Sequence, residues 1–393
     1  MTDITIDSRT VAARGRWAVA AMFLANGFIM GSWAPQIPLM LPRHDITEFT
    51  LGILILMFGL GAVVAMVWTG WLINHYGSRI VTRTFAIIAS FGLAAIVLSP
   101  NIPLAALALL LTGASGGSMD VAMNANAVEV EKRLDKAIMS ASHGFWSLGG
   151  FIGGGIGGWL IERLGAEGQA IFASTVVLVI VLIAMQFLVS EPAHHEDDGP
   201  KPAYVWPKAP IVYILGIMAL FSMVPEGAVL DWAALYLSKE LGSTVSVSGL
   251  AFAFFAGSMA IMRFAGDGVR NRFGAVRTMR WSAFIAAAGM LAGGLAPNDW
   301  FAIIAFAISG LGIANTVPIA FSAAGNLTGF SAGAAISVVT LMGYSGILIA
   351  PSAIGFVAEH IGFRITYVVL AACLVAVGLA AGYTASADRA KAG

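Results

Sequence analysis

Residues 49–73 read FTLGILILMFGLGAVVAMVWTGWLI, and no charged side chain interrupts them. A helix needs about 20 apolar residues to cross a bilayer, and a tilted strand only about 9–11. Backbone polar groups in hydrocarbon must be satisfied internally, which leaves helices or closed barrels. A run of this length therefore reads as a transmembrane helix. Eleven more apolar runs accompany it, giving spans at 17–41, 49–73, 80–99, 102–128, 137–161, 168–190, 211–238, 247–268, 279–296, 300–325, 333–358 and 364–384. Only 11% of the residues are charged, against about 25% in soluble domains, so a soluble class is excluded. Zero net charge removes the basic footprint that nucleic-acid binding requires. A single cysteine, Cys373, excludes an internal disulfide and any Cys/His metal cluster.

The first run is too long for a cleavable signal peptide and reads as a retained span. Lysine and arginine set the orientation. With the N-terminus in the cytoplasm, the inner side collects Arg9, Arg14, Arg16, Arg79, Arg83, Lys132, Arg133, Lys136, Lys201, Lys208, Arg270, Arg272, Arg277, Arg280, Arg389 and Lys391. The outer side holds only Arg43, Arg163, Lys239 and Arg364. Both termini are then cytoplasmic. The polar, proline-rich stretch SEPAHHEDDGPKPAYVWPKAP reads as a linker, and His194 and His195 in it as solvated side chains. The expected organisation is a tail at 1–16, a six-helix bundle at 17–190, a linker at 191–210, a second bundle at 211–384 and a tail at 385–393.

The two halves repeat. GWLINHYGSRIVTR ends the second span and DGVRNRFGAVRTMR the eighth; Asn74 matches Asn271, Gly77 matches Gly274 and Arg83 matches Arg280, each 197 residues apart. GWLIERLG and GFVAEHIG end the fifth and eleventh spans, and Gly165 matches Gly362 at the same offset. Six spans per repeat is an even number, so the halves share one orientation and are related by a pseudo-two-fold axis along the membrane normal. Twelve spans, a central linker and a loop carrying Gly70, Asn74, Gly77 and Arg79 together resemble the major facilitator superfamily. Asparagine replaces the superfamily's loop aspartate in both halves, at Asn74 and Asn271. GGFIGGGIGGW resembles the fifth-helix antiporter motif, with Gly154 in place of its proline. SMDVAMNANAVEVE and SHGFWSLGGFIGG resemble the fucose-permease-like, YbjJ-like bacterial inner-membrane branch. The resemblance implies alternating access, a central cavity lined by the first, fourth, seventh and tenth spans, and a monomer in the bacterial inner membrane.

Polar residues within the spans mark candidate sites. Asp120 sits well inside the fourth span with Asn124 one turn on, and either carries a proton or locks helices together. His143, early in the fifth span with Ser140 and Ser147 one turn away on either side, either binds substrate or relays a proton, or is a neutral ring bonded to a serine. Pro225 and Gly227 loosen the seventh span beside Glu226, the second proton-coupling candidate. Asp231 lies nearer the outer end and reads as a cap or an interfacial group. Asn26 stands where the branch's fucose transporters carry a first-helix acid. Asn315 and Thr316 fall in the tenth span at the depth of Ser118 and Asp120, and suit a hydrogen-bonding solute or interhelical contacts. Trp33 and Trp232 read as interfacial anchors or sugar-stacking rings, and Gln36 as an outer-gate residue. Arg263 and Asp267, four residues apart on the eighth span, are expected to pair and to act with the loop motif in gating.

No phosphate-binding loop or catalytic constellation is present, so the chain is expected to be neither a nucleotide-driven pump nor an enzyme, with no cofactor. The sequence reads as a secondary active transporter, proton-coupled, for a small polar solute such as a sugar or polyol. The alternative is a proton-driven exporter of amphiphiles, favoured by the antiporter-like glycines.

Overall fold

The computed structural model describes residues 8–134, 138–190, 209–327 and 332–391. All regular elements among them are helical. They are α1 Ser8–Trp33, α2 Ile37–His44, α3 Glu48–Tyr76, α4 Ser78–Ser90, α5 Gly92–Val97, α6 Ile102–Leu134, α7 Met139–Ala184, α8 Pro210–Glu240, α9 Val245–Phe273, α10 Ala275–Gly294, α11 Asp299–Ile313, α12 Thr316–Gly325, α13 Ala332–Ile361 and α14 Phe363–Leu379. Short 3-10 segments follow α1, α7 and α14.

Ten helical stretches among the described residues are long and apolar enough to cross a membrane. One of them, Ala141–Phe187, has 47 residues, or about 70 Å of helix, more than twice a hydrocarbon core of about 30 Å. Gly165, with φ 74° and ψ 169°, interrupts α7 and divides it into two crossings. α10 adds another 20-residue helix, with Arg277 and Arg280 near its start. Twelve crossings result. The outward faces are apolar: Val67 is 77% exposed and Leu379 73%. Side chains of this kind stand outward when the surrounding solvent is lipid.

Small residues set the packing. In lipid, helices associate through close backbone approach. A Cβ on Gly27 would overlap the carbonyl of Trp146, and one on Gly31 the carbonyl of Gly150. Gly149 and Gly153 of α7 face the carbonyls of Leu24 and Phe28 in return. The antiporter-like glycine run is thus the seam between α1 and α7.

The repeat is visible in the backbone. Gly77 and Gly274 adopt φ/ψ of 79°/153° and 80°/162°. Gly165 and Gly362 adopt 74°/169° and 87°/164°. Asp45 and Gly242, also 197 apart, are the remaining residues with positive φ among the described ones. Gly113 lies on the carbonyl of Phe58 and Gly310 on that of Phe255, the same contact at the same offset.

The chain forms two compact units, Met1–Gln36 with Met57–Asp197, and Ile37–Leu56 with Asp198–Gly393. Ile37–Leu56, placed by span counting in the first half, groups with the second. There Lys239 pairs with Glu48, the Phe49 N–H donates to Glu359 Oε2 at 3.1 Å, and Gly52 meets the backbone of Pro351.

Three boundaries differ from the sequence expectation. α1 begins at Ser8, inside the expected tail 1–16. The expected C-terminal tail is a packed 3-10 helix, Ala380–Lys391. Ser386 Oγ donates to the Ala323 carbonyl at 2.8 Å, and Asp388 Oδ1 accepts from the Ala275 N–H at 2.6 Å. The tenth span is two helices, because Pro318 removes an amide donor from the ladder and its ring crowds the carbonyl four residues back. Residues 191–208, with His194 and His195, lie outside the described residues.

Candidate functional site

In the first unit, Asp120 lies on α6 about 27 Å from Ile102 and about 21 Å from Leu134 at 1.5 Å per residue, near the middle of the crossing. Its side chain is half-buried. Asn124, one turn on, donates from Nδ2 to the Asp120 carbonyl at 2.8 Å and to Oδ1 at 3.4 Å. None of the ion pairs among the described residues includes Asp120. A carboxylate in hydrocarbon with an amide as its neighbour is costly unless it binds a cation or a proton. Asn126, on the other face, donates to Ser78 Oγ at 2.9 Å and to the Val189 carbonyl at 2.8 Å, so its work is interhelical.

Asn26 of α1 joins two helices. Trp146 Nε1 of α7 donates to its Oδ1 at 2.8 Å, and its Nδ2 points at the Met119 sulfur of α6 at 3.7 Å. The indole fixes the amide orientation, and a thioether is a weak acceptor. Asn26 therefore offers a donor. His143, one turn before Trp146, meets Phe23 of α1 edge-on at 5.0 Å. The Asp120 side chain accepts from Asn124 on its own helix, and the ring of His143 meets Phe23 on α1. Ser140, expected beside His143, has a side chain outside the described ones, while Ser147 is buried. Trp146 and Met119 were not among the sequence candidates. The signal for Trp146 was its place three residues after His143, on the same helix face.

Gln36 is 1% exposed. Its Nε2 donates to the Ala166 carbonyl at 2.8 Å and to Gln169 Oε1 at 2.5 Å, so it anchors the turn after Gly165. Trp33 and Trp232 are 7% and 0% exposed. Both lie inside protein packing rather than at a lipid-facing surface, which corrects the interfacial reading. Trp232 stacks obliquely on Phe363 at 5.7 Å.

In the second unit, Glu226 of α8 pairs with Arg263 of α9, Nη2 to Oε1 at 3.2 Å. The expected partner of Arg263 was Asp267, whose side chain lies outside the described ones; the reach across helices to Glu226 was not anticipated. Asp231 is half-buried within α8, nine residues before its end at Glu240, and does not cap it. Asn315 is buried at the start of α12 and packs against Gly266 of α9. Thr316 Oγ1 donates to the Ile313 carbonyl at 2.8 Å and stitches the break.

In the loop motif, Gly70 has open space around it. Asn74 and Asn271 are exposed. Gly77 and Gly274 make the turns between α3 and α4 and between α9 and α10. Arg83 Nε donates to the Met185 carbonyl at 2.8 Å, while Arg79 Nε is buried without a hydrogen-bond partner.

Twelve crossings, a twofold repeat and glycine seams define a multi-pass helical membrane protein. The chain matches the Major Facilitator Superfamily over residues 19–266 and 215–392 and belongs to that family. It is 35% identical over 362 residues to an uncharacterized MFS-type transporter of Yersinia pestis, covering 92% of this chain and 93% of that one. The fold is similar to that of a variant of the nucleoside transporter NupG, with TM-score 0.74 at 13% identity, covering 94% of this chain and 99% of that one. It is also similar to the D-xylose-proton symporter, with TM-score 0.72 at 14% identity, covering 95% and 97%.

Proposed function

We propose that this secondary transporter is proton-coupled and carries a small polar solute of sugar or polyol type across a bacterial inner membrane by alternating access. The observation that carries the reading is Asp120, at mid-crossing, with Asn124 as its hydrogen-bond partner and no ion pair among the described residues. Such a group gains from binding a proton when it is cut off from water and loses it when water returns. Asn124 supplies a neutral hydrogen-bonding group beside it, Asn26 supplies another in the same unit, held by Trp146 and Met119, and Asn315 and Thr316 supply them in the second unit. Glu226 and His143 are the further proton-coupling candidates. Glycine packing between α1 and α7 accounts for the antiporter-like run without export, which favours a polar solute over amphiphiles. The fucose-permease-like branch and cytoplasmic termini belong to the same reading, supported by the α6 and α7 segments and by the lysine and arginine distribution.

The test is thermal melting of the purified chain with sugars, polyols and cationic amphiphiles across pH, for wild type and Asp120→Asn. A ligand that binds only the folded state raises the melting temperature. The expected result is stabilisation by a polar solute, with a pH dependence that Asp120→Asn abolishes. Stabilisation by amphiphiles alone would overturn the reading in favour of the exporter. Vesicles with an imposed pH gradient then give the direction for the solute found.

A further inference from the structure

α8 carries a second acid, Asp231, five residues after Glu226. A helix of 31 residues is about 46 Å long and overhangs a hydrocarbon core of about 30 Å by about 8 Å at each end. Asp231 stands nine residues before Glu240, about 14 Å from that end, so it lies within the hydrocarbon depth. Among the described residues it enters no ion pair, and its carboxyl takes no hydrogen bond. A bare carboxylate at that depth is costly.

The space that Asp231 meets is not lipid. Helices on the lipid surface show it in their side chains: α3 exposes Val64, Val67, Trp68 and Trp71. Between Ile211 and Leu237, α8 exposes Ile217 alone, because α2, α9, α11, α12, α13 and α14 pack around it. Trp232, fully buried between Phe363 and Gly355, fixes the rotation of the helix. Asp231 is nonetheless only half-buried. Gly227, one turn before it and on the same face, has no atom within 4 Å of where a Cβ would stand. The half-buried face at Gly227 and Asp231 therefore opens onto space inside the protein.

Tyr367 of α14 is the titratable group within electrostatic reach of Asp231. It is fully buried, and its hydroxyl donates to the Ala228 carbonyl at 3.2 Å. The charged groups on the surrounding helices are engaged elsewhere. Arg263 of α9 is bonded to Glu226, Arg364 of α14 to Glu240, Asp299 of α11 to Ser243 Oγ, and Glu359 of α13 to the Phe49 N–H. Arg43 and His44 stand at the end of α2.

We propose that Asp231 is a second proton-binding site of this transporter, reached from the end of α8 that carries Glu240. The inference rests on the proton-coupled reading and adds to it: each unit then holds one carboxyl without a counter-ion, Asp120 in the first and Asp231 in the second. Water in the space beside Gly227 lets Asp231 ionise. When that space closes, the carboxylate takes a proton back from water and no charge is left in the hydrocarbon.

The experiment is thermal melting of the full chain in detergent, without solute, from about pH 5 to about pH 9. Stability falls as pH rises wherever the folded state holds more protons than the unfolded one. Asp231→Asn keeps the shape of the protonated acid and has no charge to acquire. It is expected to melt with wild type at the acid end and about 2 °C or more above it at the alkaline end. Asp231→Glu is expected to restore the wild-type slope. If Asp231→Asn does not fold, Asp231→Ser is expected to show the same flattened slope. An equal shift at every pH overturns the site in favour of a structural side chain, and no shift at any pH in favour of a solvated carboxylate. If sodium chloride raises the alkaline melting temperature of wild type above choline chloride, and Asp231→Asn is indifferent, a metal cation replaces the proton and the inference falls. A slope flattened by Asp120→Asn but not by Asp231→Asn removes this site and keeps the proton-coupled reading. The converse keeps the site and removes Asp120 from that reading.

Discussion

Gly31 and Gly70 show how one residue type does opposite work in a membrane helix. A Cβ at Gly31 would strike the carbonyl of Gly150, backbone that cannot move aside alone, while a Cβ at Gly70 meets nothing within 4 Å. Gly31→Val is therefore expected to destabilise by about 1–3 kcal/mol or to open the α1–α7 seam. Gly70→Ala is expected to stabilise slightly, by about 0.4–1 kcal/mol, by narrowing the unfolded chain's freedom. Thermal melts of the two variants in one detergent check the contrast in sign. The same seam positions Asn26, because Trp146 donates to it from the residue whose carbonyl lies on Gly27. Trp146→Phe is expected to leave folding intact but free the Asn26 amide to flip. A solute accepting from Nδ2 would then bind about fivefold more weakly, since one hydrogen bond is worth about 1 kcal/mol and a factor of ten takes about 1.4. Solute-dependent shifts in melting temperature, compared with wild type, measure it.

The helices themselves were legible in the sequence because apolar length is a local property, and so were the turns at Gly77, Gly165, Gly274 and Gly362. The matched spacing of these glycines pointed to a shared backbone need, and their φ of 74–87° with ψ of 153–169° supplies it. That region of φ/ψ space is essentially open to glycine alone, at a cost of about 1–3 kcal/mol for other residues. Gly165→Ala isolates the strain, since no atom crowds its Cβ; Gly362→Ala adds a contact with Glu240 Oε1 at 3.1 Å. Both are expected to lower the melting temperature, Gly362→Ala more. Asn at Gly165 brings no relief, whereas Asp45 at φ 51° occupies the milder left-handed helical region. Side-chain partnerships were less legible. Arg263 has an acid four residues on in its own helix, and local spacing points to Asp267, whose side chain lies outside the described ones; the bond to Glu226, which no local spacing suggests, joins residues 37 apart on different helices. Pro318 was visible too, but a proline in a long apolar run can kink a helix or end it. The packing of Asn315 on Gly266 goes with the second outcome.

At the scale of the whole molecule, the repeat turns an orientation argument into a measurable pattern. Lysines and arginines crowd the ends of the spans that hold Asn74 and Asn271 and are sparse at the opposite ends, where Pro100 and Pro297 stand. Each pair is 197 residues apart, and all four side chains are exposed. Positive side chains near span ends stay on the cytoplasmic face, so the proposed topology puts both prolines outside and both asparagines inside. Cys373 is the only cysteine, and Cys373→Ser gives a silent background. Pro100→Cys and Pro297→Cys are expected to react with a membrane-impermeant maleimide on intact cells. Asn74→Cys and Asn271→Cys are expected to react only after the membrane is opened. The reverse pattern would invert the chain and place the tails outside. Disagreement within a pair would break the parallel repeat itself, because two halves of six crossings return the chain to the same side and two halves with an odd number do not.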